Sequence, residues 1–164
     1  MRTLILAPFA LVAGLLLASA CSSEEPDSGS SSGGVGQSTG CAQDTRKDVY
    51  TAGLAKQNDA VSVKIVDSTP SPPKKGTNTM TLLIADPAGK PIDGATVSVT
   101  PYMPDHAHGS AVTPVVTAMG EGKYAVAKIY YPMPGLWKVT VTVQMSGPGA
   151  PAPQEVAFNF CFDG

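Results

Sequence analysis

Trp137-Lys138-Val139-Thr140-Val141-Thr142-Val143 alternates apolar and polar side chains without a break. A chain with period two buries one face and wets the other, so this stretch predicts a β-strand lying on a core. The same alternation recurs upstream at Val61, Val63 and Ile65, at Val97 and Val99, and at Tyr124 and Val126. It recurs downstream in Val156-Ala157-Phe158-Asn159-Phe160. Met80-Thr81-Leu82-Leu83-Ile84 alternates less, as expected of a strand covered on both faces. Turn chemistry punctuates these runs at Asp86-Pro87-Ala88-Gly89, Asp93-Gly94, Gly120-Glu121-Gly122, Pro134-Gly135 and Ser146-Gly147-Pro148-Gly149. Residues 50–57 are the one candidate for a short helix, and Gly53 weakens it. The expected fold is all-β: an immunoglobulin-like β-sandwich of about seven strands.

The chain has 164 residues, enough for one domain with a tail, and carries 15% charged residues at a net charge of −2. That balance leaves no electrostatic footprint for a nucleic-acid partner. The length excludes a large enzyme.

Residues 1–20 read as an export signal. Arg2 gives a positive start, Leu4 to Leu17 is an apolar stretch too short for a membrane span, and Ala18-Ser19-Ala20 supplies small residues before a break. Leu16-Leu17-Ala18-Ser19-Ala20-Cys21 resembles the lipobox of bacterial lipoproteins, with Ala18 where Leu is preferred. The resemblance implies lipidation at Cys21 and membrane attachment through the lipid; simple secretion is the alternative. After Cys21, residues 22–40 complete a Ser/Gly-rich tether over 21–40 with one apolar side chain, Val35, too few to offset the entropy of ordering it. The domain proper is expected over 41–164, in the cell envelope and facing the periplasm or the exterior. With Cys21 lipidated, Cys41 and Cys161 remain as a pair bracketing the domain in an oxidising compartment, which favours a disulfide over two free thiols or metal ligands.

Both histidines of the chain fall in Met103-Pro104-Asp105-His106-Ala107-His108-Gly109. In an extended segment, residues two apart point the same way, so the His106 and His108 rings are expected side by side. Imidazole suits copper and zinc, and a thioether such as that of Met103 favours Cu(I). Asp105 is a possible zinc ligand, but no third histidine or cysteine completes a structural tetrahedral site. The same segment also reads as a solvated loop that binds nothing. Met133 lies between Pro132 and Pro134, just before the strand that opens at Trp137.

From Asp86-Pro87-Ala88-Gly89-Lys90-Pro91-Ile92-Asp93-Gly94-Ala95-Thr96-Val97, through Met103 to Gly109 and Gly122-Lys123-Tyr124, to Met133-Pro134-Gly135-Leu136-Trp137-Lys138-Val139, the sequence resembles the YtkA-like/FixH-like family of exported bacterial β-sandwich domains. The likeness covers roughly residues 60–144. It implies a Met-Pro-x-Met-x-His-Gly loop and, for some members, copper handling. Met103, His108 and Met133 match by position, and His106 stands where a methionine is usual. Residue content and the resemblance together imply the metal-ligand set Met103, His106, His108 and Met133, with copper as the cofactor and a copper-receiving envelope protein as a possible partner.

Other methionines read differently: Met80 as core, Met119 as a strand-end core residue or else a further ligand of the site, and Met145 as an exposed strand end. Trp137 reads as the core aromatic. No serine sits in a nucleophile elbow and no glycine-rich loop opens a helix. Asp86, Asp93 and Asp105 fall in turns, where a carboxylate commonly bonds its own backbone. The expectation is a binding module and not an enzyme. The competing reading is a metal-free structural or interaction module, since Gly89 to Val97 also resembles adhesion-type β-sandwiches.

Overall fold

The computed structural model describes residues 40–164. The expected signal peptide, the Cys21 lipidation site and the tether up to residue 39 lie outside the described residues. Nine antiparallel strands make up the domain: β1 Ala55–Gln57, β2 Ser62–Thr69, β3 Gly76–Ala85, β4 Thr96–Met103, β5 His108–Gly109, β6 Val115–Gly120, β7 Lys123–Tyr131, β8 Gly135–Gln144 and β9 Gln154–Phe162. They form a five-stranded sheet in the order β1-β2-β3-β7-β6 and a four-stranded sheet in the order β5-β4-β8-β9. This is the expected all-β sandwich, with two more strands than expected because β1 and β5 are only three and two residues long.

The period-two reading accounts for the core. In β8, Trp137, Val139, Val141 and Val143 are all buried, and they face Phe160, Phe158, Val156 and Gln154 of β9 across the ladder. Polar Lys138 and Thr140 take the opposite face. The other sheet contributes Val63, Ile65, Met80, Leu82, Ile84, Tyr124, Val126, Ile129 and Tyr131 to the same cluster.

Local expectations fail where burial is one-sided or slight. β3 is central in its sheet but buries only one face along the stretch read as doubly covered: Thr81 and Leu83 are half-buried, and Leu83 lies between Lys64 and Lys123. Residues 50–57 form no helix. Gly53 takes φ +86°, Leu54 N–H donates to Thr51 carbonyl at 2.9 Å, and the chain then enters β1. β6 gave no signal because it is an edge strand, exposed along nearly its whole length. Its Met119 is 61% exposed rather than core, whereas Met145 packs half-buried on the core rather than standing exposed.

A disulfide joins Cys41 to Cys161 across a sequence separation of 120. The segment after Cys41 runs beside β9. Asp48 N–H donates to Asn159 carbonyl (2.8 Å), Asn159 N–H donates to Asp48 Oδ2 (2.7 Å), and Asn159 Nδ2 donates to Arg46 carbonyl (2.9 Å). These bonds occupy edge groups of β9 that another chain could otherwise pair with.

Candidate metal centre

The Met103 to Gly109 segment joins β4 to β5 at one end of the four-stranded sheet. Pro104 opens a 3-10 turn over Pro104–His106, where its missing N–H costs nothing. Ala107 closes the turn in the left-handed region (φ 52°, ψ 37°), and its N–H reaches Pro104 carbonyl at 3.3 Å. The histidines therefore do not share an extended segment, as the spacing suggested. The turn and the left-handed residue bring their rings to a centroid separation of 6.0 Å, edge to face.

His108 is the better defined of the two. Its Nδ1 lies 3.0 Å from Gly109 carbonyl; a carbonyl only accepts, so this contact calls for the proton on Nδ1, and in the neutral ring with that tautomer Nε2 carries the lone pair. Its ring lies 5.8 Å from the Trp137 indole, edge-on. Trp137 is fully buried, and its Nε1–H donates to Met133 carbonyl at 3.0 Å. One indole therefore links the His108 ring to the Met133 loop, a link the sequence reading did not contain.

The methionines differ in access. Met103 pairs across the ladder with His108, so both start from the same face of the sheet. Its side chain is 2% exposed and belongs to the core cluster. Gly135 makes room for it: φ is +117°, and a Cβ there would collide with Met103 Cε. Met133 is half-buried and packs on the core. His106 is exposed.

A cavity of about 710 Å³ opens beside this segment, lined by Met103, Asp105 and His106 on one side and by Arg46 and the Cys41–Cys161 pair on another. His108 and Met133 are not part of its lining. The Arg46 guanidinium grips both oxygens of Asp105, Nη1 to Oδ1 at 2.6 Å and Nη2 to Oδ2 at 2.8 Å. It also bonds Asp44, Nη2 to Oδ2 at 2.7 Å and Nε to Oδ1 at 3.0 Å. These hydrogen bonds hold the Asp105 and Asp44 carboxyls below the usual carboxylate range. Arg46 and Asp44 stand 59 and 61 positions from Asp105, and no spacing rule points to them.

Among the described residues no three His, Cys, Asp or Glu side chains are placed to hold a metal ion.

The YtkA-like family model matches residues 55–142, more than half of the chain, and the chain belongs to that family. Among solved structures, a copper-bound variant of FetP from uropathogenic Escherichia coli is similar at 18% identity and a TM-score of 0.45, over 70% of this chain and 97% of that one. As-isolated FetP from the same organism is similar at 18% identity and a TM-score of 0.44, over 68% and 94%. A DUF4426-family protein of Pseudomonas aeruginosa is similar at 14% identity and a TM-score of 0.42, over 66% and 94%. No curated protein matches the chain.

Proposed function

We propose that this YtkA-like domain is a copper-binding module of the bacterial cell envelope, tethered through lipid on Cys21, which buffers or passes on copper and catalyses no reaction. Copper is held reversibly by His106, His108, Met103 and Met133. The observation that carries this reading is the His106–His108 pair: two rings 6.0 Å apart, with His108 Nε2 left free by the Nδ1 bond to Gly109, beside Met103. Copper bound there gains nitrogen and thioether donors that serve both its oxidation states. Exposed His106 supplies the way in and out, while buried Met103 is already ordered before copper arrives.

The test is competition titration of the full chain with Cu(I) and Cu(II), repeated on His106→Ala/His108→Ala. One equivalent bound by the wild type and lost in the variant supports the reading; absent or variant-insensitive binding overturns it. A metal-free interaction module is the second reading, favoured by the exposed Val115 and Met119 on edge strand β6.

A further inference from the structure

Asp105 is the one carboxylate in the Met103 to Gly109 segment, and it adjoins His106 in the same turn. A carboxylate beside two imidazoles makes a harder donor set, suited to Zn(II) and other oxygen-preferring ions. Arg46 occupies both Asp105 oxygens. Its own position is doubly fixed, by Asp44 at the guanidinium and by Asn159 at its backbone carbonyl. We propose that Arg46 is a specificity-determining residue: by engaging both oxygens of Asp105 it keeps that carboxylate from serving as a metal ligand, so the centre stays a nitrogen–thioether site biased toward copper over zinc.

The inference rests on the copper reading above. The Arg46–Asp105 pair is about half exposed, and such pairs contribute little to folding. Its effect is on which ligand is available. Releasing Asp105 adds an anionic oxygen to the metal's reach, and this strengthens Zn(II) binding more than Cu(I) binding. Because Arg46 touches the metal only through Asp105, the signature is a change in the ratio of two affinities, reversed by removing the carboxylate.

The experiment measures Zn(II) and Cu(I) affinities by chelator competition on the full chain as wild type, Arg46→Ala, Arg46→Lys and Arg46→Ala/Asp105→Asn. In Arg46→Ala the Zn(II)/Cu(I) affinity ratio rises about tenfold, within the usual effect of residues that orient metal ligands. In the double variant it returns to the wild-type value, and Arg46→Lys, which keeps one contact of the fork, falls between. A ratio unchanged in Arg46→Ala overturns the proposal while leaving the copper reading intact. So do two affinities that fall together, which make Arg46 merely structural. A wild type that binds no copper overturns both. Arg46→Lys keeps the charge and covers the case in which Arg46→Ala does not fold.

Discussion

The His108 ring meets the Trp137 indole edge-on at 5.8 Å, and the same indole donates its N–H to the Met133 carbonyl. Trp137 is the only tryptophan in the chain, so the candidate centre carries its own fluorescent reporter. Cu(II) added to the wild type quenches Trp137 emission with a one-equivalent endpoint. In His108→Ala that quenching is lost and the emission maximum of the folded protein stays in place. Quenching that survives the variant means that copper binds elsewhere.

Gly135 provides a sharper structural test. Its φ of +117° suits no side chain, and a Cβ would collide with Met103 Cε. Gly135→Ala should cost roughly 1–3 kcal/mol in urea denaturation, from strain and overpacking together. It should also weaken Cu(I) binding more than Cu(II) binding, because the thioether is the group displaced. Equal losses for the two ions count against Met103 as a ligand.

Tyr131 has an expected sign opposite to most core substitutions. It is fully buried between Trp137 and Phe162, and its hydroxyl has no hydrogen-bond partner among the described residues. Burial pushes that phenol's pKa up. Tyr131→Phe removes an unsatisfied polar group and keeps the ring, so a gain of about 1 kcal/mol is expected by chemical denaturation. A loss of similar size would show that the hydroxyl has a partner in solution.

The disulfide closes a loop spanning nearly the whole domain. On the chain-entropy model, Cys41→Ser/Cys161→Ser should lower stability by roughly 4–5 kcal/mol. The measurement is urea unfolding of variant and wild type, the latter with and without a dithiol reductant. If the reduced wild type and the variant both match the oxidised protein, the loop constrains the unfolded chain far less than that model holds.

Acid should open the Asp44–Arg46–Asp105 cluster. Both carboxyls have folded-state pKa values below the usual 3.8, chiefly from hydrogen bonding to Arg46, with Lys47 adding to Asp44 and His106 to Asp105. A depressed carboxyl stabilises above its unfolded pKa, and the contribution fades as pH falls through the folded one. Carboxyl carbon NMR titration should therefore place both midpoints below 3.8 in the wild type. Both midpoints should move up in Arg46→Ala; if they do not move, the guanidinium is not what holds them down.

Much of the sandwich is legible in the order of the side chains. Trp137 to Val143 and Val156 to Phe160 alternate because one face of each strand must leave water, and that requirement acts residue by residue along the chain. Cys41 and Cys161 could be paired by count and compartment, and Met80 and Trp137 by their apolar surroundings. β6 could not be read, since an edge strand with little buried surface leaves no pattern, and Met119 was misplaced for the same reason. Leu83 read as doubly buried because hydropathy does not reveal that one face of β3 lies between two lysines.

The candidate centre divides along the same line. His106, His108 and Met103 stand within one short segment, so their types and proximity follow from the sequence alone. Which nitrogen of His108 is free, that Met103 faces inward against Gly135, and that Trp137 ties the His108 ring to Met133 follow from strand pairing and core packing. That Arg46 holds Asp105 is decided by the segment after Cys41 lying against β9. These relations join positions far apart in the chain, and only the folded backbone brings them within reach of a hydrogen bond.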